Sequence, residues 1–171
     1  MRALNGIASI DRQWLLATRG STLWILRHSR VLSRSADGYL YIALPLLLAA
    51  VTTPGVLLLQ HAAITFSLER VVYWVLKNSF RRRRPAELLP GFHSRIIAAD
   101  QFSMPSGHTS GAFLFVTLLV VHYGATAALF YLWSAAVGMS RVSLGVHFPS
   151  DTVLGAALGT SLCLFTAGYL L

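Results

Sequence analysis

Apolar residues fall in five runs broken by short polar or turn-forming stretches. A bilayer-crossing helix needs roughly 20 mostly apolar residues. The first run covers 39–51 and reaches crossing length by starting near Ser35. The second covers 56–77, and the third runs from Pro105-Ser106-Gly107-His108 to His122. The fourth covers 125–142 and the fifth 150–171. Thr52-Thr53-Pro54-Gly55 and Tyr123-Gly124 carry turn chemistry. The pattern predicts an all-α integral membrane helical bundle with about five transmembrane helices.

Residues 10–34 follow another rule. Trp14, Leu15, Leu16, Leu23, Trp24, Ile25 and Leu26 are interrupted by Arg12, Arg19, Arg27, Arg30 and Arg34. This pattern predicts an N-terminal amphipathic helix lying in the membrane interface, broken near Gly20-Ser21. An amphipathic helix packed on the bundle fits the same pattern. The expected division is an amphipathic segment, 1–35, and a membrane-embedded domain, 36–171. The start lacks the apolar core and cleavage site of a signal peptide.

Five spans place the N-terminus, the 77–105 loop and the 141–149 loop on one side of the membrane. The turns at 52–55 and 122–124 and the C-terminus fall on the other. Three motifs far apart in sequence therefore meet at one surface.

Composition agrees: 55% of the 171 residues are hydrophobic and 12% charged, against about 25% charged in soluble domains. The formal charge of +8 fits anionic headgroups and a phosphate-bearing substrate better than nucleic acid. One cysteine, Cys163, forms no intrachain disulfide.

The motifs are Lys77-x6-Arg84-Pro85, Pro105-Ser106-Gly107-His108 and Ser140-Arg141-x5-His147-x3-Asp151. His147 and Asp151, four apart, share a helix face. Asp151 can then orient the imidazole, leaving the other ring nitrogen to attack phosphorus. A helix start that Asp151 merely caps has the same spacing. Ser106 is placed to cap a helix whose N-terminus binds an anion. Gly107 would admit a phosphate oxygen, and His108 could protonate a leaving group. Lys77, Arg84 and Arg141 supply three cations for a phosphate dianion. Arg81, Arg82 and Arg83 read as headgroup contacts or a topology signal. Glu69 and Arg70 read as a pair tying helices together. His61 and His122 read as packing or interfacial residues. The apolar 86–104 loop, with Leu88, Leu89, Phe92, Ile96 and Ile97, is expected to dip into lipid and gate entry.

These three motifs, in this order and spacing, resemble the signature of the type 2 phosphatidic acid phosphatase, or lipid phosphate phosphatase, superfamily, including its small phosphatidylglycerophosphatase-B-like members. The resemblance covers about 36–171. It implies a helical bundle and metal-independent hydrolysis of a lipid phosphate or diphosphate. It implies His147 as the nucleophile that forms a phosphohistidine, Asp151 as its orienting partner and His108 as general acid. Lys77, Arg84, Ser106, Gly107 and Arg141 would bind the phosphate. No cofactor or metal is implied; the partners are the lipid substrate and membrane lipids, with oligomeric state left open. Candidate substrates are phosphatidylglycerol phosphate, phosphatidic acid, undecaprenyl diphosphate and a polyprenyl-phosphate sugar. Phosphotransfer to another lipid, and lipid binding without catalysis, are the alternatives. The location implied is a bacterial inner membrane. Many members have six spans; here the amphipathic segment stands in place of the first. Bacterial relatives usually carry the site on the outer face. Arginines at 2, 12, 19, 27, 30, 34, 81–83 and 95 favour a cytoplasmic-facing one.

Overall fold

The structure, a computed structural model, describes residues 2–20 and 22–170, with side chains from residue 8 onward except at 19. Ser21 of the expected break, the side chains of Arg2 and Arg19, and Leu171 lie outside them. The helices are α1 (Arg2–Ala17), α2 (Leu23–Ser35), α3 (Tyr39–Val51), α4 (Thr53–Phe80), α5 (Pro85–Leu88), α6 (Gly107–Tyr123), α7 (Tyr131–Ser143) and α8 (Pro149–Leu170). Short 3-10 turns cover Thr18–Gly20 and Ala125–Phe130. No strand occurs among the described residues.

The stretch Thr53–Leu88 and α8 are long and apolar enough to cross a membrane; α3 and α6 are shorter apolar helices. The first run does not begin near Ser35. Gly38 stands there at φ 105°, a left-handed conformation that starts α3 afresh at Tyr39. The turn expected at 52–55 shrinks to Thr52, whose Oγ1 accepts from Gly55 N at 3.1 Å. Pro54 is accommodated in the first turn of α4, where no intrahelical N–H is needed. The fourth run divides into a 3-10 segment and α7.

α6 is the central helix, packed by α4, α7 and α8. Its contact with α8 is close because Gly155 and Gly159 face the α6 backbone. A Cβ on Gly155 would lie 2.5 Å from Ser106 O, and one on Gly159 would lie 2.9 Å from Leu114 N. Leu58, Leu114, Phe115, Leu118 and Cys163 form the main apolar core.

α2 packs on α7 and α1 on α8. On α2, buried Leu26, Ser29 and Ser33 share one face, while Leu23, Trp24 and Val31 are exposed. On α1, Asp11 and Leu15 are buried while Ile10 and Trp14 are exposed. Leu15 joins Phe92, Val142 and Phe148 in a second cluster. Phe92 of the 86–104 loop is thus taken up by protein, whereas Ile97 is 98% exposed.

Candidate active site

All three motifs converge at one end of the bundle. Val146 N donates to Arg141 O at 3.2 Å, Ser106 N to Asp151 O at 3.0 Å and Arg95 N to Leu144 O at 2.9 Å. Arg84 Nη1 donates to Val146 O at 2.6 Å, and Lys77 Nζ to Pro105 O at 3.4 Å. These bonds bind α4, α6, α7 and α8 together around His147.

His147 is not on a helix. It lies in the segment between α7 and α8, and Asp151 sits in the first turn of α8. The pair therefore straddles the helix start instead of sharing a helix face. Phe148 N donates to Asp151 Oδ2 at 2.8 Å, the return half of a capping box, and Pro149 occupies the first helical position. The capping reading of this spacing is thus realised, and the imidazole lies alongside. His147 Nδ1 is 2.7 Å from Ser103 O and 3.7 Å from Asp151 Oδ2. Ser103 is the direct hydrogen-bond partner and Asp151 a nearby charge. Ser103 is itself held, its N donating to Arg82 O at 2.8 Å and its Oγ to Arg83 O at 3.1 Å.

A carbonyl only accepts, so Nδ1 carries the proton and Nε2 the lone pair. Burial drives the His147 pKa down to about 4. Asp151 opposes that shift, while Arg84 and Arg141 reinforce it. The imidazole is neutral at ordinary pH.

Ser106 occupies the residue before α6, but its side chain makes no cap bond to the backbone. Its Oγ accepts from Thr109 Oγ1 at 3.0 Å instead. The first amides of α6 are left without a side-chain cap, as an anion site requires. A Cβ on Gly107 would lie 3.1 Å from the Tyr73 ring, so this glycine makes room for Tyr73. His108 Nε2 is 2.9 Å from Asp37 Oδ1.

Two of the three cations have a resident anion. Asp100 binds Lys77 Nζ at 2.8 Å and Arg84 Nη2, and accepts from Tyr73 OH at 2.6 Å. Burial alone would raise the Asp100 pKa. Hydrogen bonds from Lys77 and Tyr73, with the charges of Lys77 and Arg84, outweigh that and hold it below the ordinary carboxylate range. Arg141 differs. It is 5% exposed, its Nη1 donates to Ser33 Oγ at 2.5 Å, and its Nε has no partner. Among the described residues no carboxylate pairs with it.

Sequence reasoning missed Asp11, Asp37, Asp100 and Arg82. Arg82, read from sequence as a headgroup contact, instead bonds Asp151 Oδ1 at 2.7 Å and Asp11 Oδ2 at 2.6 Å. Glu69 pairs with Arg70 at 2.5 Å and accepts from Ser110 Oγ of α6 at 2.7 Å, tying α4 to α6. His61 meets His122 at 3.1 Å and Thr166 at 2.9 Å, away from the site. His93 is exposed beside a separate cleft.

Two clefts meet at His108 and Asp37. One, of about 420 Å³, is lined by Arg30, Arg34, Arg95 and Arg141. The other, of about 850 Å³, runs past Gly107, Tyr73 and Arg70 to Tyr41, Leu59 and Phe66. A polar opening and an apolar trough thus share the same histidine. No group of three or more His, Cys, Asp or Glu side chains able to hold a metal ion occurs among the described residues.

Several known proteins are similar to this chain. The bacitracin transport permease protein BcrC of Bacillus licheniformis is 31% identical over 114 residues, 67% of this chain and 56% of that protein. Phosphatidylglycerophosphatase B of Bacillus subtilis is 33% identical over 129 residues, 69% of this chain and 59% of that protein. The chain thus spans under two thirds of the length of these relatives. The crystal structure of Aquifex aeolicus LpxE superposes with a TM-score of 0.79 at 25% identity, covering 92% of this chain and 94% of that one. The PAP2-type phosphatidylglycerolphosphate phosphatase of Bacillus subtilis superposes with a TM-score of 0.73 at 24% identity, covering 98% and 86%. The profile of the PAP2 superfamily matches residues 39–170, and with the three motifs gathered at one end of its bundle the chain belongs to that superfamily.

Proposed function

We propose that this chain is a membrane phosphatase that hydrolyses a lipid phosphate or diphosphate through a phosphohistidine. The observation that carries the reading is Arg141, a buried guanidinium with a free Nε and no carboxylate partner among the described residues, at the end of the bundle that holds His147. A buried charge without a counterion is costly, and a phosphate dianion supplies one. Superfamily membership and the relative named phosphatidylglycerophosphatase B support the same substrate class.

In this reading Lys77, Arg84, Arg141 and the first amides of α6, beside Ser106 and Gly107, hold the phosphate. The Nε2 lone pair of His147 attacks phosphorus. The bond from phosphorus to the lipid oxygen breaks, and His108 gives that oxygen its proton. Asp37 steadies the imidazolium of His108 before the transfer. Water then attacks the phosphohistidine, returning its proton to His108 and releasing phosphate. The cations do the work of charge neutralisation, so the reaction is read as independent of a metal ion.

The lipid chain would lie in the trough between α3, α4 and α6. The membrane reading takes α4, α6, α7 with its preceding 3-10 segment, and α8 as spans, with α3, about 20 Å long at the usual rise, as a shorter fifth that covers only part of the hydrocarbon core. A 13-residue α-helix following six residues of 3-10 helix measures about 32 Å at the usual rises, enough for the hydrocarbon core. The abundance of arginine at the site end favours a cytoplasmic-facing site, with the C-terminus opposite. A reporter fused to the C-terminus tests this; a cytoplasmic C-terminus overturns it.

The function is tested by phosphate release from detergent-purified protein in excess EDTA. Phosphatidylglycerol phosphate, phosphatidic acid and undecaprenyl diphosphate are offered side by side. Release that survives EDTA and vanishes in His147→Ala supports the reading. Release that the variant retains, or that EDTA abolishes, overturns it.

A further inference from the structure

The three consecutive arginines after α4 are not equivalent. Arg82 points inward, between two buried carboxylates from opposite ends of the chain. Its Nη2 donates to Asp11 Oδ2 at 2.6 Å. Its Nη1 donates to Asp151 Oδ1 at 2.7 Å and to Ser150 Oγ at 2.6 Å. Its guanidinium stacks 4.2 Å above the Phe148 ring. A planar fork locked on both edges and one face has little freedom.

Asp11 is equally constrained. It is 2% exposed, and among the described residues its carboxylate bonds Arg82 and Ser150, in the first turn of the helix that carries Asp151. Ser150 N donates to Asp11 Oδ1 at 2.9 Å and Ser150 Oγ to Oδ2 at 2.6 Å. One turn along α1, buried Leu15 packs in the cluster that contains Phe148. Asp11 and Leu15, four apart on one helix face, thus grip the segment 148–150 from both a polar and an apolar contact. Burying a carboxylate this fully is expensive unless every lone pair is used. A helix that served only to lie on a membrane would have no need of it.

We infer that Asp11 and Arg82 are positioning residues of the active site, through which the N-terminal helix fixes Asp151 beside His147. Arg82 fixes the Oδ1 edge of Asp151 while Phe148 N fixes Oδ2, so the carboxylate cannot rotate toward or away from the imidazole. Asp11 in turn fixes Arg82 and balances its charge. Without Asp11, Arg82 would bear its full charge on Asp151 and weaken the support that carboxylate gives to His147 as phosphorus bonds to it. The inference rests on the reading of His147 as nucleophile. Neither Asp11 nor Arg82 touches the phosphate-binding set, so their loss is expected in kcat and not in KM.

The test is a double-mutant cycle on full-length protein. Asp11→Asn, which keeps shape and loses charge, is expected to lower kcat about tenfold or more, the scale seen when the outer partner of a working side chain is removed, with KM changed less than about twofold. Arg82→Gln is expected to lower kcat at least as far. In the Arg82→Gln background, Asp11→Asn is expected to cost nothing further, because its effect runs through Arg82. A merely structural role shows as lost thermal stability with kcat unchanged in the folded fraction, and that outcome overturns the inference, as do losses that multiply between two residues in direct contact. Arg12→Gln, on the exposed side of α1, serves as the control with unchanged kinetics. Should Asp11→Asn not yield folded protein, Ser150→Ala removes the hydroxyl shared by Asp11 and Arg82. It is expected to lower kcat in the same direction and less far; an unchanged kcat there overturns the inference. Activity retained by His147→Ala would instead sink the phosphohistidine reading, an outcome these variants do not mimic.

Discussion

The Nδ1 atom of His147 hydrogen-bonds the carbonyl oxygen of Ser103 at 2.7 Å, with Asp151 standing off at 3.7 Å. The backbone, not the carboxylate, sets the tautomer. In a triad whose Asp fixes the tautomer, replacing it with Asn costs about 10⁴ in kcat. Here Asp151→Asn leaves the Ser103 bond in place and removes the charge together with one of the two acceptor oxygens that Arg82 and Phe148 N use. Its expected loss in kcat is about 10- to 100-fold, well short of the loss in His147→Ala. Steady-state phosphate release from both variants checks this. Equal losses would return the orienting role to Asp151.

The low basicity of His147 fixes the acid side of the pH profile. The reactive form is neutral, and burial holds the pKa at about 4. The profile of kcat/KM reports the free enzyme. Corrected for ionisation of the substrate, its His147 limb should fall near pH 4 instead of near the ordinary histidine value. A limb near 6.5 would mean that His147 is open to water.

The same burial makes stability depend on pH with a definite sign. The unfolded chain binds a proton at His147 below about 6.5 and the folded one only below about 4. Stability is therefore intact above the unfolded value and lost as pH falls toward the folded one, by about 3 kcal/mol in all. Denaturation midpoints between pH 7 and 4 should fall less steeply in His147→Gln than in the wild type. Parallel slopes would refute the assignment.

Much of this was legible in the sequence, and the losses have physical causes. The helices read well because apolar runs of this length have few alternatives. Gly38 and Thr52 shifted helix ends because one left-handed residue or one hydroxyl cap decides a boundary. The motif residues could be named because cations, histidines and a carboxylate recur at spacings matched to helix ends. Asp11, Asp37, Asp100 and Arg82 could not, since each partner is brought in from another element by tertiary packing. Scarcity was the available signal. The chain has only six Asp and Glu residues against 14 Lys and Arg, and Asp11, Asp37, Glu69, Asp100 and Asp151 each engage a cation or histidine. In an apolar, basic chain every carboxylate merits a place in the site hypothesis. The arginine run misled because composition cannot tell which of three neighbours turns inward. Arg81 at φ 47° reverses the chain just there.

Asp100 stands where a phosphate would take its counterions. It occupies Lys77 and Arg84 through one carboxylate, and a substrate must displace it. Asp100→Asn keeps the shape and weakens the competitor. Inorganic phosphate should then inhibit at a concentration about tenfold lower, equal to about 1.4 kcal/mol, and substrate KM should fall with it. Inhibition constants from phosphate titration give the comparison. Weaker inhibition would instead make Asp100 a brace that orients the two cations for binding.

The glycines of α8 separate packing from catalysis. Gly159 faces Ser110 and Leu114 of α6, and a Cβ there would meet backbone at 2.9 Å or less. Backbone yields little, so Gly159→Ala should destabilise the fold by about 1–3 kcal/mol, the usual cost of overpacking. One turn earlier, a Cβ on Gly155 would lie 2.5 Å from Ser106 O. That oxygen belongs to the residue opening α6, at the end proposed to bind the phosphate. Gly155→Ala should therefore displace the motif and lose activity out of proportion to stability. Gly168 meets nothing within 4 Å, and in Gly168→Ala the lost backbone freedom of the unfolded chain should stabilise by up to about 1 kcal/mol. Thermal unfolding and kcat measured together on the three variants decide the matter. Gly155→Ala with full activity would show that Ser106 tolerates movement, and the anion site at the start of α6 would lose its claim to the phosphate.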